Sequence, residues 1–125
     1  MRGRATSSLK NRSKVLGKAM LRAVAAPDIE PPRLAQVLGV SISSISRLSH
    51  GSYLLKETKK SWELAVLVVR LHQALESIMT GDQIAMRSWK WSPNTILHGA
   101  PVEHIATVQG LVSVVGYVES TRTRV

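Results

Sequence analysis

Three observations predict an all-α protein, an N-terminal helix-turn-helix bundle followed by a small helical domain. Apolar residues recur three and four positions apart through both halves of the chain, the period of one helix face. Between Leu34 and Arg47, small, turning and apolar residues stand at the offsets of a helix-turn-helix. The charge is divided unevenly. Residues 1 to 60 carry twelve Lys or Arg against three acids and residues 61 to 125 five against five, so the whole net charge of +9 belongs to the first half. A basic helix-turn-helix half points to operator DNA as a partner, and a neutral half to a different task.

The 125 residues, 44% apolar with a mean hydropathy of +0.03, suffice for two small modules that share a core. They divide into a flexible basic arm over 1–13, a DNA-binding module over 14–58, and a second helical module over 59–125 that ends in a polar tail. Without cysteine the chain has neither disulfides nor thiolate metal sites, which suits a reducing compartment. The longest apolar run, Leu64 to Val69, is bounded by Glu63 and Arg70 and falls far short of the roughly 20 residues a membrane span needs. The basic N-terminus is followed by no apolar stretch of a secretory signal, so a cytoplasmic protein without a membrane partner is expected.

Arg2, Arg4, Lys10, Arg12 and Lys14 stand among Ser, Thr and Gly, with no acid before Asp28. An arm of this kind gains affinity for phosphates by releasing counterions, which makes Arg2, Arg4, Arg12 and Lys14 candidate DNA contacts. Val15, Leu16, Ala19, Met20, Ala23 and Val24 form one apolar stripe and predict a helix over about 13 to 25, with Lys14, Lys18 and Arg22 off the stripe. Pro27, Pro31 and Pro32 then enforce a loop, and a helix follows over about 32 to 38, where Pro32 fits a first turn.

Ala35 is small where two helices must approach, Gly39 permits the positive φ of a tight turn, and Ile45 faces back into the core. Leu34, Val37, Leu38, Val40 and Leu48 complete the apolar contacts, Ser41 caps the second helix, and Gly51 ends it. Ile42, Ser43, Ser44, Ser46 and Arg47 are left outward. With Ser41 they form the end that would enter a major groove. Arg47 is the candidate base reader, because a guanidinium meets guanine through two parallel hydrogen bonds, whereas serines contact either base. A plain pair of helices inside a helical core would satisfy the same apolar pattern but not the charge division.

Residues 52–60, with Lys56, Lys59 and Lys60, read as a hinge in which Tyr53, Leu54 and Leu55 dock one module on the other. Leu64, Leu67, Leu71, Leu75 and Ile78 predict a long helix over about 61 to 80, with Ser61 as N-cap, Glu63 in the first turn and Gly81 as terminator. The β-branched Val66, Val68 and Val69 also suit a strand, but one apolar face persists for the whole segment. Trp62, Val66 and Val69 give that helix a second apolar side. They are candidates for homodimerisation, and burial inside the same domain accounts for them equally well. Asp82 caps a short helix to about Trp89, Ser92, Pro93 and Asn94 break it, and Gly99 and Pro101 keep the next segment irregular. A last helix starts near Thr107, carries Leu111, Val112, Val114, Val115 and Val118, and gives way to the polar residues Glu119 to Val125.

Ala85 to Trp89, Trp91 to Asn94, Leu97 with Gly99, Pro101, Thr107 with Gly110, and Val114 resemble, in order and spacing, the toxin-binding domain of Xre/MbcA/ParS antitoxins. In that family an Xre-type helix-turn-helix precedes the domain, as here, so the resemblance covers nearly the whole chain. It implies an antitoxin of a bacterial type II toxin-antitoxin system, one that represses its own operon and neutralises a RES-domain toxin, an enzyme that destroys NAD. The family's C-terminal segment reaches into the toxin and obstructs its NAD pocket. The resemblance therefore implies toxin contacts for Tyr117, Glu119, Arg122, Arg124 and Val125, and for Trp89, Pro93 and Asn94. Arg122 and Arg124 depart from the small and apolar tails of the family, and either pair with acidic pocket residues or are solvated. Lys90 stands where the family has an apolar residue, and an exposed position is expected for it. Trp89 and Trp91 serve core packing or toxin contact, and Pro93 and Asn94 a turn or a contact.

His50, His72, His98 and His104 lie apart, in no metal-binding helix pattern, and no Gly-rich phosphate loop is present. No catalytic residue, metal or cofactor is expected. The alternative to an antitoxin is a stand-alone dimeric helix-turn-helix transcription regulator without a toxin partner.

Overall fold

A computed structural model describes the backbone of residues 2–124 and the side chains of residues 10–122. Its helices are α1 (Arg2–Ala25), α2 (Pro31–Leu38), α3 (Ile42–Ser49), α4 (Lys60–Met79), α5 (Gln83–Trp91), α6 (Pro101–His104) and α7 (Val108–Arg124). The described residues form no strand, only an isolated antiparallel bridge between Asn94 and Gly99, so the class is all-α as predicted. None of these helices is long and apolar enough to cross a membrane.

α4 lies at the centre, packed along α1 on one side and α7 on another, with α2 and α5 also against it. Its buried residues Leu64, Ala65, Val68, Leu71, Ala74 and Leu75 follow the helical period, and Ala65 and Ala74 are small where neighbouring helices come close. One apolar cluster runs from Met20, Ala23 and Val24 of α1, through Leu34, Leu38, Ile45 and Leu55, to Leu111, Val114 and Val118 of α7. The two halves therefore share a single core.

Several boundaries differ from expectation. α1 includes the stretch read as an arm, starting at Arg2 rather than near residue 13. Ala5, Leu9, Lys10 and Arg12 are good helix formers with no proline among them. The Ser13 hydroxyl ties the helix down by donating to the Leu55 carbonyl (2.7 Å). Ser61 is not the N-cap of α4: the Trp62 N–H already donates to the Lys59 carbonyl (3.1 Å), so the helix begins before Ser61, which is buried. α4 ends through Thr80 and Gly81, both with positive φ, and the Gly81 N–H donates back to the Glu76 carbonyl (3.1 Å). The segment expected to be irregular around Pro101 forms the one-turn helix α6 with Pro101 in its first turn, where its missing N–H is harmless. The polar C-terminal residues continue α7, because Val118 is buried in the core and Tyr117 packs against it.

The Thr107 and Gly110 pair has a structural role. The Thr107 hydroxyl accepts from the Gly110 N–H (3.0 Å), capping α7. A Cβ at position 110 would stand 1.8 Å from the His104 carbonyl oxygen, so only glycine allows α6 and α7 to meet this closely. Gly110→Ala is expected to cost about 3 kcal/mol or more of unfolding free energy, since backbone rather than a flexible side chain must yield. Gly116, also in α7 but with open space at its Cβ position, provides the contrast. Gly116→Ala should be neutral or stabilising by up to about 1 kcal/mol in the same denaturant titration.

Candidate nucleic-acid interface and partner surfaces

The turn between α2 and α3 is held by backbone geometry. Gly39 has φ +68, and the next N–H, that of Val40, donates to the Ala35 carbonyl (3.0 Å). Leu34, Ala35, Val37, Leu38, Ile45 and Leu48 are all buried, and Val40 is half-buried. Ser41 caps α3, its Oγ accepting from the Ser44 N–H (3.1 Å). Ser41, Ile42, Ser43, Ser46 and Arg47 are exposed, Ile42 to 56%. Ser44, predicted on this face, is buried instead. Its hydroxyl lies 2.9 Å from Ser41 Oγ inside the cap and accepts a long hydrogen bond from Arg47 Nη2 (3.4 Å).

Of the basic residues predicted to meet phosphate, the side chains of Arg2 and Arg4 lie outside the described residues. Lys14 is exposed on α1. Arg12 is engaged by Glu57, with Nη2 2.6 Å from Oε1.

In the second half, Trp89 is half-buried against the core, where it borders an enclosed space of about 20 Å³ among α1, α2 and α4, no more than a water's room. Lys90 is buried, not exposed. Its stem occupies an interior position while Nζ donates to the carbonyl of Asp28, a residue turned to φ +58. Trp91 is 51% exposed and carries cations on its ring, Arg33 at 5.0 Å from the centroid and Lys90 at 5.8 Å. Asn94 Oδ1 accepts from the N–H groups of Ile96 (2.8 Å) and Leu97 (3.1 Å), which makes Asn94 a turn former, and Pro93 beside it is exposed.

Trp62 and Val66 join Leu67, Val108 and Val112 along an open groove of about 830 Å³ between α4 and α7, with Lys60, Glu63 and Arg70 at its rim. Val69, expected beside Trp62 and Val66, lies outside this groove and packs against the core. The sequence pattern did not single out Val108, which is 59% exposed, as part of this surface.

Glu119 forms a bidentate pair with Arg70, Oε1 to Nη2 at 2.6 Å and Oε2 to Nε at 3.1 Å. Hydrogen bonding by the guanidinium holds the Glu119 carboxyl below its ordinary range, and the same bond raises Arg70. Tyr117 is half-buried against the core and Arg122 is exposed. The Arg124 and Val125 side chains lie outside the described residues. Among the described residues no group of three or more His, Asp or Glu is placed to hold a metal ion. No family model and no curated protein matches the chain.

Ser41→Ala should lower stability by about 1 kcal/mol, read by denaturant titration, because the α3 N-terminus loses its acceptor. The Arg70–Glu119 pair should show a pH signature. Glu119 titrates lower folded than unfolded, so its contribution is complete above the unfolded value of about 4.3 and is lost as pH falls through the folded one. The stability difference between parent and Glu119→Gln should therefore be constant near neutrality, at most about 1 kcal/mol for a partly exposed pair, and vanish in acid.

Proposed function

We propose that the protein is a DNA-binding antitoxin that represses its own operon and neutralises a RES-domain, NAD-degrading toxin. The DNA reading rests on one observation. α2 and α3, joined through Gly39 and packed through Ala35 and Ile45, leave Ser41, Ile42, Ser43, Ser46 and Arg47 exposed on the half that holds all the net charge. A helix about 10–12 Å across fits a major groove about 12 Å wide. In that placement Arg47 reads a guanine and Ile42 meets a thymine methyl, while the serines contact base edges or phosphates. The groove between α4 and α7 suits a second copy of the chain, with Trp62 and Val66 at its apolar floor.

The antitoxin reading rests on the resemblance of residues 85–114 to the Xre/MbcA/ParS toxin-binding domain. Pro93 and Arg122 are its exposed candidates for toxin contact, whereas Trp89, Asn94, Tyr117 and Glu119 already have structural partners. The C-terminal segment would then engage the toxin as a helix end that leads to Arg124 and Val125. One observation favours the stand-alone regulator instead: the helical tail is fastened to α4 by the Arg70–Glu119 pair.

Co-expression with the product of the adjacent gene separates the readings. The parent should co-purify with it and suppress its NAD consumption, and removing residues 119–125 should release that consumption while operator binding persists. A neighbour that neither consumes NAD nor binds leaves the stand-alone regulator. Arg47→Ala should reduce discrimination between operator and unrelated DNA by about 1–3 kcal/mol, roughly ten- to hundredfold, in competition binding. Equal discrimination by parent and variant would remove α3 as the reading helix.

A further inference from the structure

We infer a second DNA site, formed by Lys10, Lys14 and Lys18 of α1 and by Lys56 across the adjoining groove, which binds the sugar-phosphate backbone at the lip of the major groove that α3 occupies. The inference builds on the helix-turn-helix reading and adds residues and a location to it.

The placement follows from two contacts. At Gly17, α1 meets α3: a Cβ there would be in ordinary contact with Leu48 Cδ1, at 3.4 Å. Lys14 and Lys10, three and seven residues before Gly17, share its side of α1, and both are exposed. Further along, the Ser13 hydroxyl bonded to the Leu55 carbonyl holds the segment after α3 against α1. Between α1 and residues 52–58 lies an open groove of about 780 Å³, lined by Lys10 of α1 and by Ser52, Tyr53 and Lys56 of the later segment.

Charge and spacing then select the ligand. α1 touches α3 where Gly17 meets Leu48, on the buried side of α3. With α3 in a major groove about 12 Å wide, the inferred ligand is the flanking backbone, toward which the long, exposed side chains of Lys10, Lys14 and Lys18 can extend. Lys10, Lys14 and Lys18 rise about 6 Å per step along α1 and so present a row of charges to one strand, which carries a phosphate every 3.4 Å or so of axis.

Glu57 acts against this site. Among the described residues it is the one acid lining the groove, and it holds Arg12 in an ion pair. Of the residues that composition marks for phosphate, Lys14 belongs to this site, whereas Arg12 is engaged by Glu57.

The test uses a random-sequence 30-base-pair duplex, since phosphate contacts carry no sequence information. For each neutralised contact, the slope of log K against log salt should change by about 0.9. The Lys10→Gln, Lys14→Gln, Lys56→Gln triple variant should lower the slope by about 2 to 3 and leave operator preference, measured as a ratio, unchanged. The Arg87→Gln, Arg122→Gln double variant, which removes exposed charge from the other half, should leave the slope as in the parent. Glu57→Gln frees Arg12 and should steepen the slope by about one. A triple variant with the parental slope, or a control variant with an equal loss, overturns the inference and leaves the role of α3 intact. A parent that binds no duplex overturns both.

Discussion

The whole molecule depends on covering α4. This twenty-residue helix is apolar on more than one side, and the segments that cover it come from both ends of the chain: α1 and α2 before it, α5 and α7 after it. Helices shorter than about 12–15 residues do not hold themselves in water. α2 and α3, with eight residues each, therefore take their order from the shared core, through Leu34, Leu38, Ile45 and Leu48. The basic half and the neutral half are distinct in charge and inseparable in packing. α3 is thereby held by the same core that joins α1, α4 and α7.

Close approach is the second constraint, and it explains the small residues. Gly110 admits the His104 carbonyl against α7, where a Cβ would stand 1.8 Å from the oxygen. Ala65 and Ala74 are completely buried in α4. At Gly110 the neighbour is itself backbone, which leaves no tolerance for an added methyl group. The order of Thr107 and Gly110, which carried part of the family resemblance, is thus accounted for by a helix cap and a steric requirement.

Several local signals are legible in the sequence, although the cap expected at Ser61 falls two residues earlier, at Lys59. Ser41 and Asp82 cap the helices they precede, and Gly39 takes the left-handed turn, because a cap or a turn involves residues two to four apart. What escaped the sequence were partners far along the chain. Lys90 looks like a surface residue until Asp28, 62 positions earlier, offers its carbonyl. Glu119 looks like part of a solvated tail until Arg70, 49 positions earlier, fixes it to α4. Arg12 looks like a phosphate contact until the fold sets Glu57 beside it. Ser44 was misread for a smaller reason: on a helix of eight residues, a serine one turn from the cap can join the cap and leave the outer face.

The composition of the exposed α3 face bears on how such a protein would find an operator. Specific binding generally exceeds non-specific binding by about 4–10 kcal/mol. In the proposed placement Arg47 would supply about 1–3 kcal/mol of discrimination through a bidentate contact, and serines, which hydrogen-bond to any base, would add little selectivity. One such contact therefore falls short of the lower bound. Two copies on a palindromic site would double the term to about 2–6 kcal/mol, whose upper part reaches the working range. On the proposed DNA reading, the chemistry of α3 would favour a dimer independently of the apolar groove between α4 and α7. The same reading would leave most of the absolute affinity to phosphate contacts, in keeping with a chain whose net charge is concentrated in the half that carries α3.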